Sequence, residues 1–171
     1  MRGTTIRPTT EDDWVSVRAL RLEMLRDTPK AYGERLADAE RLQERDWRRR
    51  GRREHDVGGT TLAAIGPDGR WLGTMGVFVP GPRVGPLLVG VYVAPSHRGR
   101  TAGVADALLD EVEVWAAAHG SALRLHVHEG NTRAQAFYAR RGYEPTGATE
   151  AYVLEPSELE VEMIRQLRGS L

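Results

Sequence analysis

The feature that most constrains this chain is a strand, a basic glycine-containing loop and an amphipathic helix, which follow one another through residues 87–119. The apolar run Leu87–Val93 is ended by Pro95, which is typical of a short buried strand. The loop at residues 98–103 follows, and the apolar positions of the next helix lie on one face: Val104, Leu108, Val112 and Trp115. Free N–H groups at a helix start and the positive end of its dipole favour a bound phosphate. The sequence therefore predicts an anion-binding cradle at this loop.

The remaining sequence predicts strands and helices around this unit. Strands are predicted where β-branched and apolar residues lie between Gly and Pro turns or alternate with polar residues, at residues 4–8, 60–65, 71–79, 123–127, from 143 onward, and 159–164. Helices are predicted where apolar residues recur at helical spacing, at residues 12–26, 35–53, 104–119 and 131–141. Segment 35–53 has a thin apolar stripe, which predicts a single helix on the surface.

The tail at residues 151–167 fits either a strand or a short helix. Glutamates alternate with apolar residues from 158 to 163, which favours the strand. The whole pattern predicts an α/β fold with one domain over residues 1–171. Its central sheet is expected to be mixed and mostly antiparallel, and flanked by helices.

Charge and cysteine content indicate which partners and which cellular compartment are expected for the protein. Lys and Arg total 24, as do Asp and Glu, so no global field draws the chain to nucleic acid or an anionic membrane. The arginine cluster at residues 45–53 is expected to be a solvated helix face, with a surface for an acidic acceptor or for nucleic acid as alternatives. There is no cysteine, and no apolar run approaches the roughly 18 residues of a membrane span. We expect a cytoplasmic protein without nucleic-acid or membrane partners.

A histidine pair raises the question of a metal site. His126 and His128 are alternate residues of a predicted strand and so share one face. With no cysteine in the chain and only Glu129 nearby, they are expected to be polar residues of that face rather than metal ligands. No metal is predicted.

Three blocks in the second half of the chain resemble the GNAT superfamily of N-acetyltransferases. They read V-Y-V-A-P at residues 91–95, R-G-R-T-A-G at residues 98–103, and N-T-R-A-Q-A-F-Y at residues 131–138 with Gly142 and Tyr143 behind it. They are similar to the family's acetyl-CoA loop, Q/R-x-x-G-x-G/A after a strand, and to its later helix, N-x-x-A-x-x-F-Y-x-x-x-G-F/Y. Order and spacing also match. The resemblance implies the GNAT fold and an acetyl-CoA-dependent N-acetyltransferase.

The resemblance also implies a cofactor site between strand Leu87–Val93 and strand 123–127. The backbone at Tyr92 and Val93 would pair with the pantetheine arm, and the Val93 N–H would polarise the thioester carbonyl. Asn131 would touch the pantetheine from the other side, and Tyr138 would be the general acid for the departing thiolate. The pyrophosphate would be bound by the cradle residues Arg98, Gly99, Arg100, Thr101, Ala102, Gly103 and Val104.

One cradle residue departs from the family pattern. Thr101 stands where the family usually has its central glycine. If the position requires a positive φ, a β-branched residue weakens cofactor binding there. If the backbone stays helical, the Thr101 hydroxyl adds a phosphate contact. Because Arg98, Gly99 and Gly103 are retained, we expect binding to survive.

The acceptor amine needs a proton acceptor and a place to bind. An alkyl amine has a pKa of about 10.4, so a base or a water chain must take its proton at neutral pH. Glu129, at the end of strand 123–127, is the preferred candidate, and the alternatives are Glu34, Tyr92 and His128. The acceptor is expected to enter over residues 28–34, with Tyr32 and Glu34 as wall residues.

The expected function is acetyl transfer to the primary amine of a small molecule, by direct attack in a ternary complex. Two alternatives stay open: a protein N-terminal or lysine acetyltransferase, and a catalytically silent acyl-CoA-binding module. The silent module is motivated by Thr101 and by the lack of an obvious base. Acetyl-CoA is the expected acetyl donor, and the family resemblance is consistent with a homodimer.

Overall fold

Seven strands form one sheet in the computed structural model, which describes residues 3–81 and 83–167 and, at residues 53–56, the backbone alone. The strands are β1 (Thr5–Pro8), β2 (Thr60–Ile65), β3 (Trp71–Phe78), β4 (Leu87–Val93), β5 (Ala122–His128), β6 (Glu144–Tyr152) and β7 (Glu155–Gln166). Their spatial order is β1-β2-β3-β4-β5-β7-β6, and every neighbouring pair is antiparallel except β4 and β5, which run parallel. The predicted mixed, mostly antiparallel sheet is confirmed, as is the strand at the tail.

Helices cover both faces of this sheet. They are α1 (Trp14–Asp27), α2 (Leu36–Glu40), α3 (Glu44–Asp56), α4 (Val104–Ala117) and α5 (Thr132–Arg140). Buried Leu108 of α4 belongs to the same core cluster as Leu62 and Ala64 of β2, whereas Leu20 of α1 clusters with Ala63 between them. Successive strand residues point to opposite faces, so α1 and α4 lie on opposite sides of the sheet. Of the helices in the described residues, none has the length and apolar character needed to cross a membrane.

The prediction of one surface helix at residues 35–53 is wrong, because the segment forms two helices and some of its residues are buried. It divides into α2 and α3 because the Asp46 carboxylate accepts a hydrogen bond from the Gln43 backbone N–H at 3.0 Å and so begins a new helix. Ala39 and Trp47 are fully buried against the outer side of α1. The thin stripe is therefore a packing surface, with the charged residues on its other side.

Three arginines of α3 are paired with acids of the same helix or of the segment before α1. Arg48 binds Asp12 and Glu44, Arg49 binds Asp46, and Arg52 binds Glu11. Exposed pairs of this kind contribute little to stability, and they compensate the positive charge locally.

A bulge in β4 and an early separation from β5 shape the centre of the sheet. Between Val89 and Tyr92, β4 advances three residues while β3 advances two, and the extra residue sits at Gly90, whose φ is 59°. β4 pairs with β5 only at Leu87↔Arg124 and Leu88↔Leu125. Beyond these two pairs the strands diverge, and a wedge opens between them.

Candidate active site

The wedge between β4 and β5 is a cleft of about 460 Å³. The two strands form its sides, α5 forms one wall, and the segment before α2 lies across it. Of the residues expected to hold the cofactor or the acceptor, the following line it: Tyr32, Tyr92, Val93, Arg98, Gly99, Arg100, Asn131 and Tyr138. The cleft thus brings together side chains from five separate parts of the chain.

The free edge of β4 faces into this cleft. The backbone N–H of Ala94 donates to Leu72 O of β3 at 2.8 Å, so the N–H and C=O of Val93 point the other way, away from β3. The carbonyl of Val93 accepts from Arg98 Nε at 2.7 Å, and the carbonyl of Val91 accepts from the Tyr32 hydroxyl at 3.0 Å. Two side chains therefore hold this edge in place, and the Val93 N–H faces the cleft.

Arg98 binds other parts of the protein in addition to lining the cleft. Besides its bond to the Val93 carbonyl, its guanidinium binds the Asp27 carboxylate at the end of α1 and lies 5.4 Å from the ring centre of Tyr92. The hydrogen bond from Arg98 is the main cause that lowers the pKa of Asp27. Arg98 therefore ties β4, the loop behind it and α1 together, and its role toward a phosphate stays a prediction.

The start of α4 has no side-chain cap, and its role as an anion cradle stays a prediction. Gly99 and Gly103 have φ values of 95° and 68°, and Gly103, the residue before the first turn, has no side chain to occupy the free N–H groups. No non-glycine residue in the described ranges has a positive φ, so Thr101 sits there without the strain considered above. Arg100 lines the cleft, whereas Thr101, Ala102, Gly103 and Val104 do not.

Tyr138 is a buried phenol in the wall of the cleft, with 5 % of its surface exposed. Its ring packs edge-on against Phe137 and Tyr143, with centroids 5.3 and 5.6 Å away. Burial raises the pKa of Tyr138, and the nearby Tyr32 raises it further. The hydroxyl therefore stays protonated at neutral pH, as a proton donor must.

Asn131 has two functions available to it. Its Oδ1 accepts a hydrogen bond from the Ala134 N–H at 3.1 Å, which caps α5, and the residue also lines the cleft. Gln135 binds the carbonyls of His128 and Glu129 through Nε2, which fastens α5 to the end of β5. The wall that carries Tyr138 is therefore anchored at its start.

Two arginines of α5 line the cleft, although the sequence motifs did not predict them as site residues. Arg133 is exposed at its rim, and Arg140 binds the Asp106 carboxylate with both distances 3.1 Å. They lie on one face of α5 together with Ala136 and Phe137, at spacings of three, four and seven residues. The helical spacing of α5 could have identified both, because residues seven apart, such as Arg133 and Arg140, share one face of a helix. With Arg98 and Arg100, they make the cleft's charge positive.

The candidate bases do not all reach the cleft. Glu129 is exposed, accepts a hydrogen bond from the Leu159 N–H at 2.8 Å and lies outside the residues that line the cleft. His128 lines it, but its Nδ1 accepts from the Gly130 N–H at 3.0 Å and its Nε2 lies 2.8 Å from Glu158. The role of Glu129 as base stays a prediction.

Glu34 also lies outside the cleft, in an ion cluster behind it. Its carboxylate accepts hydrogen bonds from Arg21 at 2.8 Å and from both terminal nitrogens of Arg50, at 2.9 and 2.5 Å. Burial raises the pKa of Glu34, but the hydrogen bonds from Arg50 and the charge of Arg21 outweigh it, and the pKa falls below its ordinary value of 4.5. A carboxylate held in this way is a poor base.

A second, smaller pocket of about 80 Å³ shares two lining residues with the cleft. Val89 and Gly90 line both spaces, and Arg21 and Arg50 line the small pocket. Through the part of the chain that the structure describes, no three His, Asp or Glu side chains are grouped as a metal ion would require.

A split sheet, a glycine-containing loop before α4 and a buried phenol occur together around the cleft. The chain belongs to the acetyltransferase (GNAT) family, whose model matches residues 17–143. The protein is therefore an acyltransferase, and acetyl-CoA is its acetyl donor. The cleft suits this donor, because it offers a free strand edge, the first turn of α4 at Ala105 and Asp106, and cationic side chains.

Solved structures show the same fold. The GCN5-related N-acetyltransferase from Kribbella flavida is 22% identical, with a TM-score of 0.72 over 97% of this chain and 99% of that one. The ribosomal-protein-alanine N-acetyltransferase from Brucella melitensis is 22% identical, with a TM-score of 0.76 over 95% and 99%. The phosphinothricin acetyltransferase from Sinorhizobium meliloti, in complex with AcCoA, is 19% identical, with a TM-score of 0.75 over 96% and 88%. No curated protein sequence matches the chain significantly.

Proposed function

We propose that the protein transfers the acetyl group of acetyl-CoA to the primary amine of a small molecule, by direct attack in a ternary complex. The observation that carries this proposal is a small pocket beside the large cleft at the β4 bulge, where Val89 and Gly90 line both. A pocket of about 80 Å³ holds part of a small acceptor and has no room for a folded protein segment.

The proposed reaction forms a carbon–nitrogen bond and breaks the carbon–sulfur bond of the thioester. The amine nitrogen bonds to the thioester carbon, while the Val93 N–H stabilises the negative charge that develops on the carbonyl oxygen. The carbon–sulfur bond then breaks, and the Tyr138 hydroxyl gives its proton to the departing sulfur. The protonated amine loses two protons to Glu129 or to water, one before the attack and one from the adduct, and Tyr138 regains its own from solvent.

Two measurements test the proposed function. Titration calorimetry measures acetyl-CoA binding, and a thiol-release assay measures turnover on a panel of small amines and lysine-containing peptides. We expect binding together with turnover on small amines. Turnover confined to peptides would favour a protein acetyltransferase, and binding without turnover on any amine would favour the silent module. Failure to bind acetyl-CoA would refute all three.

The two arginines of the cradle are expected to have different roles: Arg100 in acetyl-CoA binding and Arg98 in stability. Arg100→Gln should weaken acetyl-CoA binding by about tenfold, less so at high salt, and leave stability unchanged, because Arg100 is exposed at the cleft. Arg98→Gln should lower the free energy of unfolding by about 1 kcal/mol, because it leaves the Val93 carbonyl and Asp27 without this partner. Calorimetry and urea unfolding measure the two effects. Loss of binding without loss of stability in Arg98→Gln would contradict this division.

A further inference from the structure

Two of the arginines that line the cleft are already bound to acids. Arg98 binds the Asp27 carboxylate at the end of α1, and Arg140 binds Asp106 of α4. Among the described residues that line the cleft, Asp106 is the one acid, and Arg141 binds it as well. Pairs of this kind leave little positive charge for a ligand, because each guanidinium has a carboxylate within contact distance.

Arg100 and Arg133 also line the cleft, and they have no such partner. Both are exposed, and neither forms a hydrogen bond or a salt bridge with any residue that the structure describes. The hydrogen bond from Arg98 is the main cause that lowers the pKa of Asp27, and the charge of Arg133 adds a smaller part. Because Asp27 is held by Arg98, the guanidinium of Arg133 keeps all its donors for a ligand.

The two unpaired arginines lie at the same end of the cleft. The effect of Arg133 on Asp27 places its charge close to Arg98, the first residue of the loop at residues 98–103. Arg100 stands two residues further along that loop, which follows β4, whereas Arg133 belongs to α5. Two cations on different walls can therefore approach one anionic group from two sides.

Arg133 also stands where its own helix disfavours a cation. It is the second residue of α5, and the first turn of this helix contains no acid. The start of a helix carries a partial positive charge, so a guanidinium there meets a like charge. Departures from a local preference of this kind are expected at functional sites. A bound anion would remove the conflict, because it would be attracted by both the helix start and the arginine.

We propose that Arg133 binds a phosphate of the acetyl-CoA donor, on the side of the cleft opposite Arg100. The donor carries a pyrophosphate and a 3′-phosphate, and a guanidinium binds either through paired, charge-assisted hydrogen bonds. The family motifs imply phosphate contacts only in the loop before α4, so Arg133 is an additional binding residue on a separate element. The inference concerns the donor and goes beyond the proposed function, because it holds for any acceptor.

A charge series at this position tests the inference by calorimetric titration with acetyl-CoA. Arg133→Lys should stay within about threefold of the wild type, Arg133→Gln should bind about tenfold more weakly, and Arg133→Glu about 100-fold more weakly. High salt should reduce these differences. Urea unfolding should show no loss of stability in Arg133→Gln, because no hydrogen bond within the described protein is removed. A merely structural role for Arg133 would lower stability instead.

Three results would overturn the inference. They are wild-type affinity in Arg133→Gln, an affinity in Arg133→Glu no lower than in Arg133→Gln at low salt, and an equal loss in the control Arg18→Gln. Arg18 is the matched control because it is exposed on α1, also forms no hydrogen bond or salt bridge with a described residue, and does not line the cleft. A wild-type protein that does not bind acetyl-CoA would overturn the proposed function as well.

A second donor identifies the phosphate. Acetyl-3′-dephospho-CoA keeps the pyrophosphate and lacks the 3′-phosphate, and it is titrated into the wild-type protein and Arg133→Gln. A tenfold difference between the two proteins with both donors assigns Arg133 to the pyrophosphate. A difference that disappears with the dephospho donor assigns Arg133 to the 3′-phosphate. Both results support a phosphate contact by Arg133, and each names the group that it binds.

Discussion

Replacement of Tyr138 by phenylalanine is expected to lower kcat by about 100-fold or more, the range for loss of a general acid, and to leave acetyl-CoA affinity unchanged. Tyr138 lines the cleft, and burial raises the pKa of its hydroxyl, so the proton that it would give to the thiolate is present at neutral pH. Phenylalanine keeps the ring and hence the contacts with Phe137 and Tyr143. Steady-state thiol release and calorimetry measure the two quantities.

A neighbouring tyrosine provides the control for this experiment. Tyr143 is also buried, but its hydroxyl donates to Glu113 at 3.0 Å and it is not among the residues that line the cleft. Tyr143→Phe should retain kcat and lose about 1 kcal/mol of stability, the usual contribution of one hydrogen bond. If Tyr138→Phe retains kcat as well, Tyr138 is not the acid.

Replacement of Leu108 by alanine should reduce the free energy of unfolding by about 3 kcal/mol, within the range for truncating a buried leucine. Leu108 is fully buried in the largest core cluster, where α4 packs on β2 and β3. A methyl group on Gly73 of β3 would come within 3.3 Å of Leu108 Cδ1, so the two elements are in close contact. The cavity left by alanine would lie directly under the helix whose start forms the cradle. Urea unfolding followed by circular dichroism measures the loss.

An exposed valine of the same helix is the reference for this effect. The surface of Val114 is 71% exposed, and Val114→Ala should change stability by no more than about 0.5 kcal/mol. At a temperature where both variants are folded, Leu108→Ala should still bind acetyl-CoA, because no contact of the cleft is removed. A loss of under about 1 kcal/mol in Leu108→Ala would mean that α4 is not held to the sheet by this residue.

The elements that could be predicted from the sequence are those whose cause is local. Strand β4 has the predicted bounds, because an apolar run followed by proline leaves few other structures open. The stripe from Val104 to Val112 is buried as predicted. Segment 35–53 was predicted as one helix, because its apolar residues have the spacing of a continuous helix. That spacing gives no sign of the hydrogen bond from Gln43 to Asp46 at the start of α3.

The candidate site could be predicted only in part. Its family motifs led to the residues of the cleft edge, such as Val93 and Tyr138, because these lie at constant positions relative to a strand and a helix. Glu34 was expected to face the acceptor, but it is turned toward Arg21 and Arg50. The partners of a charged side chain depend on which residues the fold brings near it, and sequence spacing does not show which residues these are.

The sequence by itself determined the seven strands, the helices α1, α4 and α5, and the glycine loop at the start of α4, because each depends on neighbours within a few residues. Only the tertiary structure decided that β4 and β5 part after two residue pairs, that Arg98 binds Asp27 of α1, and that Val89 and Gly90 line both the cleft and a second pocket. These features join parts of the chain that lie tens of residues apart. Their physical cause is the packing of α1, α3 and α5 around the split sheet.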